Sequence, residues 1–385
     1  MPPASYRDQF TAALAAEPGR LHMAAHSHHP WPDASRAAQL AAWDMAATEL
    51  DRKWPGVLDT VLPEAQRHIA ARLGLGDPSA IAFAPNTHEF VVRIGSCLPQ
   101  PVRILTTDSE FHSAERQFRR WEEAGQATVE RVPTEPFASF SERFTAAMRP
   151  DHHLVWSSHV FFNSGYVVPD LDAVVAAVPC AETFVVIDGY HGFMALPTAL
   201  AGIADRALDT AGGYKYAMAG EGAVFLHTPP GYGPRPVDTG WYATFGTLAD
   251  APSGQVQYAA DGWRFAGATF DPSGLFRFNA VQRWLDELGV DVADIHAHVQ
   301  ALQTQFLEGA AARGISLGEL IPAHGAHERG HFLTFRSPQA GTLQQQLADA
   351  GVVTDHRGDR LRFGFGLYHD APTIEHVLDR IAATI

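Results

Sequence analysis

Lysine is nearly absent from this chain of 385 residues. Only Lys53 and Lys215 occur, although lysine and arginine together number 28. Arginine keeps its charge, whereas lysine can lose its proton and attack a carbonyl group. Lys215 lies between two tyrosines in the stretch 211–222, after an apolar run and before a Gly-rich turn. It is therefore either a Schiff-base residue or an ordinary surface lysine near a turn.

Other absences narrow the class of protein. The two cysteines, Cys97 and Cys180, make neither a disulfide framework nor a zinc-binding spacing. A formal net charge of −15 without a basic cluster argues against nucleic acid or an anionic membrane as partner. There is no apolar run of membrane-spanning length and no signal-peptide core at the start. We therefore expect a soluble cytoplasmic protein.

Strands and helices alternate through the middle of the chain. Short apolar runs separated by helical patterns predict a mainly parallel, seven-stranded sheet with helices on both faces, an α/β fold. The predicted strands are 80–84, 102–107, 127–132, 153–159, 183–187, 207–211 and 223–227. The predicted helices between the earlier strands are 88–98, 113–124, 139–148 and 170–178.

The two ends of the chain follow different patterns. A short helix is predicted at 5–17, and Asp33 is expected to cap a second helix that runs to about Leu50. We predict three units. The N-terminal segment, 1–50, packs with the small domain and the active site. The large domain that binds the cofactor is 51–275, and the smaller α+β domain is 276–385. The elements predicted in the last unit are helices at 276–288, 292–313, 341–350 and 373–384 and strands at 331–336, 352–355 and 361–365.

Candidate site residues follow the strands, where ligands bind in such sheets. Asn86 or Thr87 can cap a helix, and the start of that helix could bind an anion, although this stretch on its own favours an ordinary cap. Phe111 could stack on a flat ring or belong to the core. Asp188 ends a buried strand and needs a cationic or hydrogen-bonding partner. With Lys215 27 positions later, the pair suits a pyridoxal ring, lysine at the aldehyde and aspartate at the ring nitrogen.

These motifs resemble those of fold-type-I pyridoxal-phosphate enzymes of the class V aminotransferase superfamily, and kynureninase most closely. Asp188-Gly-Tyr-His191 resembles the family's Asp-Leu-Ala-His, and Gly213-Tyr214-Lys215-Tyr216 resembles its Ser-Tyr-Lys-Tyr. Gly240-Trp241-Tyr242 resembles its Gly-Trp-Phe, and Arg362-Phe363-Gly364-Phe365 resembles a motif of the small domain. The resemblance extends over nearly the whole chain from residue 20.

The resemblance implies a role for each matching residue. Pyridoxal 5'-phosphate is the implied cofactor: Lys215 binds its aldehyde and moves the α-proton, while Asp188 pairs with the ring nitrogen. His191, in the same loop as Asp188, is assigned to catalysis and to cofactor binding. Arg362 would bind the substrate α-carboxylate through its fork. A homodimer with shared active sites is also implied. The remaining cofactor contacts are assigned to Phe111 against the ring and to Asn86, Thr87, Tyr214 and Trp241 at the phosphate, Trp241 from the partner subunit.

The sequence departs from kynureninase on the substrate side. Where that family has Gly-Asn-Ser-Leu-Gly, this chain has Ala25-His26-Ser27-His28-His29, and Asp271 replaces an asparagine that precedes a proline. The histidine segment could bind a metal, line a substrate pocket or consist of ordinary capping histidines. We favour the substrate pocket, formed by His26, Ser27, His28 and Asp271, and expect no metal.

Three functions are consistent with these residues. The first is a kynureninase-like hydrolase or lyase that cleaves the side chain of an L-amino acid through a quinonoid intermediate. The second is a class V aminotransferase, which uses the same lysine and aspartate to transfer an amino group to a keto acid. The third is a non-catalytic regulator that binds pyridoxal phosphate, which is disfavoured by the acidic charge and the lack of a DNA-binding segment. A cysteine desulfurase is not expected. Its chemistry needs a nucleophilic cysteine on a mobile loop late in the chain, whereas Cys97 and Cys180 both precede Lys215.

Overall fold

The computed structural model describes residues 5–247, 254–323 and 329–385. Its strands are β1 (Leu21–His22), β2 (Ile81–Ala84), β3 (Val102–Thr107), β4 (Ala127–Val132), β5 (Leu154–Ser158), β6 (Phe184–Asp188), β7 (Ala207–Gly212), β8 (Val224–His227), β9 (Glu319–Ile321), β10 (Phe332–Arg336), β11 (Val352–Val353), β12 (Asp355–Arg357) and β13 (Arg360–Gly364). Its α-helices are α1 (Thr11–Ala15), α2 (Ala34–Glu49), α3 (Lys53–Gly56), α4 (Leu62–Leu73), α5 (Thr87–Ser96), α6 (His112–Glu123), α7 (Phe140–Ala146), α8 (Leu171–Ala176), α9 (Ser273–Leu288), α10 (Val292–Ala312), α11 (Ala340–Asp349) and α12 (Ala371–Ala382).

Seven strands form the large sheet, in the order β2-β8-β7-β6-β5-β3-β4. Strands β3 to β7 run parallel, while β8 is antiparallel to both of its neighbours. Every residue of β2, β5, β7 and β8 is buried. This burial fits short apolar runs that carry helices on both faces. The predicted mainly parallel seven-stranded sheet is confirmed, and each strand begins and ends within one residue of its prediction.

The C-terminal part of the chain contains a second sheet of four antiparallel strands, β12-β13-β10-β9. Helices α10, α11 and α12 cover it, and their apolar side chains share one core with the strands. This arrangement confirms the predicted smaller α+β unit. Helix α9 differs from the expectation for that unit, because it packs against α2 and α4 and contributes to the core of the large sheet.

The N-terminal segment joins the two parts of the molecule. Strand β1 pairs in parallel with β11, and the next residues are buried, Met23 in the core of the four-stranded sheet and Ala25 in the core of the large sheet. Two predictions for this segment were wrong. Helix 5–17 is reduced to a short turn and α1, and the Asp33 carboxylate does not cap α2. It accepts hydrogen bonds from Thr11 N–H and Oγ1 at 2.9 and 2.6 Å, which caps α1 instead.

Candidate active site

A cavity of about 210 Å³ opens at the carboxyl edge of the large sheet. The strands that surround it end at this edge because they run parallel, so residues distant in sequence meet there. Its walls are formed by Pro85, Asn86, Thr87, Phe111, Ser113, Ser158, Asp188, Tyr190, His191, Tyr214, Lys215, Glu221, Gly222 and Val224. Seven of these were predicted as site residues from the sequence.

Lys215 is buried in the wall of this cavity, three residues after β7. Its Nζ donates a hydrogen bond to the carbonyl of His26 at 2.8 Å and lies 5.5 Å from the centroid of the Phe111 ring. Burial and then the charge of Arg362 lower the pKa of Lys215 to about 7. A large fraction of this amine is therefore neutral, and nucleophilic, near neutral pH.

Asp188 is the last residue of β6, the parallel neighbour of β7. Its carboxylate accepts a hydrogen bond from Tyr190 N–H at 3.0 Å. Burial raises the pKa of Asp188 to about 6, while that hydrogen bond and the charge of Lys215 oppose the rise. A cationic partner in the cavity would stabilise the ionised carboxylate further.

Asn86 and Thr87 bring the N-terminus of α5 to another wall of the cavity. The Asn86 side chain caps the helix by accepting a hydrogen bond from Glu89 N–H at 3.1 Å. The remaining free N–H groups of the first turn and the Thr87 hydroxyl give this end a set of donors for an anion. Tyr214 lines the same cavity and adds a phenol.

Ser158 lies on the opposite side of Asp188 from α5, because β5 is the neighbour of β6 on one side, whereas β2, which precedes α5, lies three strands away on the other side. Ser158 pairs in register with Asp188, and its hydroxyl donates to the buried Glu110 at 2.7 Å. Burial raises the pKa of Glu110 to about 8, although hydrogen bonds from Thr107 and Ser158 oppose the rise. The Glu110 carboxyl group therefore lies behind the wall residue Ser158 and resists ionisation at neutral pH.

His191 lines the cavity three residues after Asp188. Burial, with the nearby charge of Lys215, lowers its pKa well below the ordinary value. The imidazole is therefore neutral and can act as a hydrogen-bond donor or acceptor, depending on its tautomer.

Arg362 lies in β13, outside the walls of the cavity but close to Lys215. Its Nε and Nη2 donate to the two oxygens of Asp355 at 2.8 and 2.5 Å, and its Nη1 donates to the carbonyl of Phe162. The guanidinium is buried with this counter-charge. The sequence interpretation identified Arg362 and missed Asp355.

Five other predicted site residues are not in the cavity wall. His26 is buried beside it, whereas Ser27 and the exposed His28 bond to each other at 3.2 Å. The Asp271 carboxylate accepts hydrogen bonds from Ser273 N–H and Oγ, both at 2.9 Å, so it is bound to the first residue of α9. Trp241 is 45 % exposed and lies outside the cavity of its own chain.

Several wall residues were missed although local signals for them exist. Ser158 ends a buried strand next to the strand of Asp188, which is the rule that located Asp188 itself. Tyr190 lies inside the Asp188–His191 motif, and Glu221 and Gly222 lie inside the 211–222 stretch. Ser113 lies in the first turn of α6, two residues after Phe111.

Within the described part of the chain, no three histidine, cysteine or acidic residues are grouped to bind a metal ion. In the same residues, no helix is long and apolar enough to cross a membrane. The donors that are present suit a flat ring with an anionic arm toward α5 and a carbonyl group near Lys215. Phe111 offers a face for such a ring, and Asp188 an acceptor at its far edge.

The architecture is that of fold type I of the pyridoxal-phosphate-dependent enzymes, which confirms the predicted fold. Two similar solved structures are of the cystine C–S lyase C-DES. One is a mutant with glycine covalently linked to the PLP cofactor, and the other is the complex with its product cysteine persulfide. Each has a TM-score of 0.81 and 18% identity over 98% of this chain, and covers 99% and 100% of the C-DES chain respectively.

The cysteine desulfurase CsdA from Escherichia coli is also similar, with a TM-score of 0.79 and 14% identity over 98% of this chain and 97% of its own. No protein-family model and no curated protein matches the sequence. These low identities establish the fold alone. The expected closeness to kynureninase is not supported by these structures and rests on the sequence motifs.

Proposed function

We propose that this protein is a pyridoxal-phosphate-dependent enzyme that cleaves the side chain of an L-amino acid. The observation that carries the proposal is the placement of Lys215 and Asp188 in the wall of one cavity, at the ends of parallel neighbouring strands. The fold is one in which C-DES holds PLP. The donors at the start of α5 and the face of Phe111 fit the phosphate and the ring of that cofactor.

The protein's own groups would divide the work. When bound, pyridoxal phosphate supplies an electron sink for a substrate attached through its amino group. Lys215, with its lowered pKa, would hold the cofactor aldehyde and then carry the proton at the substrate Cα. Asp188 would keep the ring nitrogen protonated. Arg362 would bind the substrate carboxylate.

Release of the side chain directly, rather than through a cysteine of the protein, is supported by the positions of both cysteines. Neither Cys97 nor Cys180 is among the residues of the cavity wall. Burial raises the pKa of Cys97 to about 12, which makes it a poor nucleophile. A persulfide relay on a protein cysteine is therefore not part of the proposal.

Two forms of side-chain cleavage are consistent with these residues. Kynureninase-like cleavage of an aryl ketone is supported by the Asp188–His191 and Tyr214–Tyr216 motifs. Cleavage of a C–S bond is supported by the fold shared with a cystine C–S lyase. Asp271 does not favour cleavage of an aryl ketone, because its carboxylate is hydrogen-bonded to Ser273 at the start of α9.

An assay of the purified, cofactor-loaded enzyme distinguishes these reactions. L-Cystine, L-kynurenine and a panel of common L-amino acids are incubated with it, and amino-acid and side-chain products are identified with and without added keto acid. We expect one substrate to release a side-chain fragment without any keto acid, in the wild type and in K53A but not in K215A. Turnover that strictly requires a keto acid would replace the proposal with an aminotransferase.

A further inference from the structure

His26 lies at the centre of a buried polar network next to the cavity. Its side chain is 1 % exposed, and its Nε2 lies 3.1 Å from Asp355 Oδ1. Because a carboxylate only accepts, Nε2 carries the proton of this hydrogen bond. The other ring nitrogen, Nδ1, has no hydrogen-bond partner in the part of the chain that the structure describes, so Asp355 is the polar side chain that orients this ring there. The ring also stacks on Phe332, with centroids 4.8 Å apart.

Asp355 in turn fixes Arg362. The two residues are directly opposite each other in the antiparallel pair β12–β13, so their side chains leave the sheet on the same face. Arg362 has five N–H donors. Nε and one N–H of Nη2 donate to Asp355, and one N–H of Nη1 donates to the Phe162 carbonyl. Among the residues that the structure describes, one N–H on each terminal nitrogen is left without a partner. Those two remaining donors match a carboxylate.

The same histidine also contacts the lysine. The His26 carbonyl accepts the hydrogen bond from Lys215 Nζ at 2.8 Å. His26 therefore touches Lys215 through its backbone and, through Asp355, orients Arg362. An α-amino acid carries its amino and carboxylate groups on a single carbon. The residues that bind the amino group and the carboxylate must therefore be held at a fixed spacing. His26 contacts Lys215 directly and contacts Arg362 through Asp355.

We propose that His26 and Asp355 are positioning residues for the carboxylate end of the substrate. Asp355 holds the Arg362 guanidinium so that its two free donors face the α-carboxylate, and His26 holds Asp355. This inference rests on the proposed function, since it assumes an amino acid bound through its amino group near Lys215. This role differs from the one predicted from the sequence, in which the histidines of the segment line a pocket and contact the substrate.

Several charges act on this network. Burial would raise the pKa of Asp355, but the hydrogen bond from His26 and the charge of Arg362 hold it well below its usual range. Burial and Arg362 lower the pKa of His26 to about 4, against the opposing effect of Asp355. The network thus consists of a neutral imidazole, a carboxylate and a guanidinium around neutral pH. Its charges balance, so an incoming carboxylate meets directed N–H groups rather than a free cation.

A pair of probes isolates the carboxylate from the amine. L-Alanine and ethylamine share a carbon skeleton and an amino group, but only L-alanine has a carboxylate. Each is titrated into the cofactor-loaded enzyme while the visible absorbance of the cofactor is followed. In D355N we expect the apparent Kd for L-alanine to rise roughly tenfold and that for ethylamine to stay unchanged. In D355E, which keeps a carboxylate, part of the affinity for L-alanine should return.

Matched variants complete the test. D359N changes an exposed aspartate in the same hairpin and should behave like the wild type. H26L removes the donor to Asp355 at similar volume and should selectively weaken L-alanine binding, whereas H26Q keeps a donor and should weaken it less. Equal losses for both probes, or no loss with L-alanine in both D355N and H26L, would overturn the inference. A protein that never acquires cofactor absorbance would instead refute the proposed function.

Discussion

Lys215 differs from an ordinary lysine because of what surrounds its amine. The side chain is buried, and Arg362 is the next largest influence that lowers its pKa to about 7. Asp188 and Asp355 act in the opposite direction. Arginine could not replace it in this role, because a guanidinium remains protonated under these conditions. The scarcity of lysine in the sequence pointed to this residue, and a motif resemblance pointed to Arg362, but the carboxylate of Asp355 beside Arg362 could not be inferred from local sequence.

The pKa of Lys215 predicts its reactivity in the cofactor-free protein. Only the neutral amine reacts, so labelling by an amine-directed reagent should rise with pH and reach half its maximal rate near pH 7. R362Q removes a charge that lowers this pKa and should move the midpoint to higher pH. R360Q, in the same strand, should leave it in place. Peptide mass mapping of Lys215 labelling across the pH range measures both midpoints. A midpoint in R362Q at or below that of the wild type would contradict this account.

Glu110 shows where residue patterns alone mislead. It directly precedes Phe111 and was not considered a site residue, yet its carboxyl group bonds to the wall residue Ser158. A charged residue just beyond a strand usually faces solvent. Here the main-chain N–H and hydroxyl of Ser158 and the hydroxyl of Thr107 surround it in a buried position. That environment comes from a strand nearly fifty residues away, which no local signal reports.

At the scale of elements, the sequence predicted what is periodic or terminal. Short apolar runs located all seven strands of the large sheet, and the strand-end rule located Asp188 and the Asn86–Thr87 start of α5. Contacts between elements that are distant in the chain could not be predicted from the sequence. His26 and Asp355 lie 329 positions apart and meet because β1 pairs with β11. The capping role of Asp33 was misassigned for the same reason, since α1 competes for its carboxylate.

The buried histidines of the N-terminal segment 21–29 predict that acid destabilises this segment. Burial lowers the pKa of His22, His26 and His29 to about 4 in each case, below the ordinary value of 6.5. The folded state therefore keeps these imidazoles neutral, and the stability they contribute is present above pH 6.5 and lost as the pH falls toward about 4. Acid should release this segment from the rest of the fold.

Hydrogen exchange tests that release. Protection factors of peptides covering 21–29, corrected for intrinsic rates, should fall between about pH 7.5 and about pH 5, while those of β5 and β6 should hold. Each single substitution H22Q, H26Q or H29Q should reduce the pH dependence of the loss. Uniform loss of protection across the segment and the large sheet would show instead that acid unfolds the molecule globally.

At the scale of the whole molecule, Trp241 is the residue that a single chain leaves unexplained. It belongs to the Gly240–Tyr242 motif assigned to phosphate binding, yet it is 45 % exposed and absent from the wall of its own cavity. A partner subunit that brings its Trp241 to the cavity would account for both facts. The homodimer implied by the sequence resemblance remains a prediction, which the exposure of Trp241 supports.

Complementation between variants tests this arrangement. If Trp241 acts across subunits, K215A and W241A should each bind the cofactor poorly or without covalent attachment. Hybrids formed by mixing them should regain covalently held cofactor in one of the two sites, because that site has Lys215 in one subunit and Trp241 in the other. W43A changes another exposed tryptophan, on α2, and provides a matched control. Failure of the mixture to exceed the separate variants would contradict sharing of the site.

The central claim is that Lys215 holds pyridoxal phosphate in the cavity at the edge of the large sheet. Its most direct test is to incubate the purified protein with the cofactor, reduce with borohydride and map the modified peptide by mass spectrometry. We predict a yellow protein in which the pyridoxyl group is fixed to Lys215, with the same result in K53A and no attachment in K215A. A colourless protein, or attachment to Lys53 instead, would contradict the account.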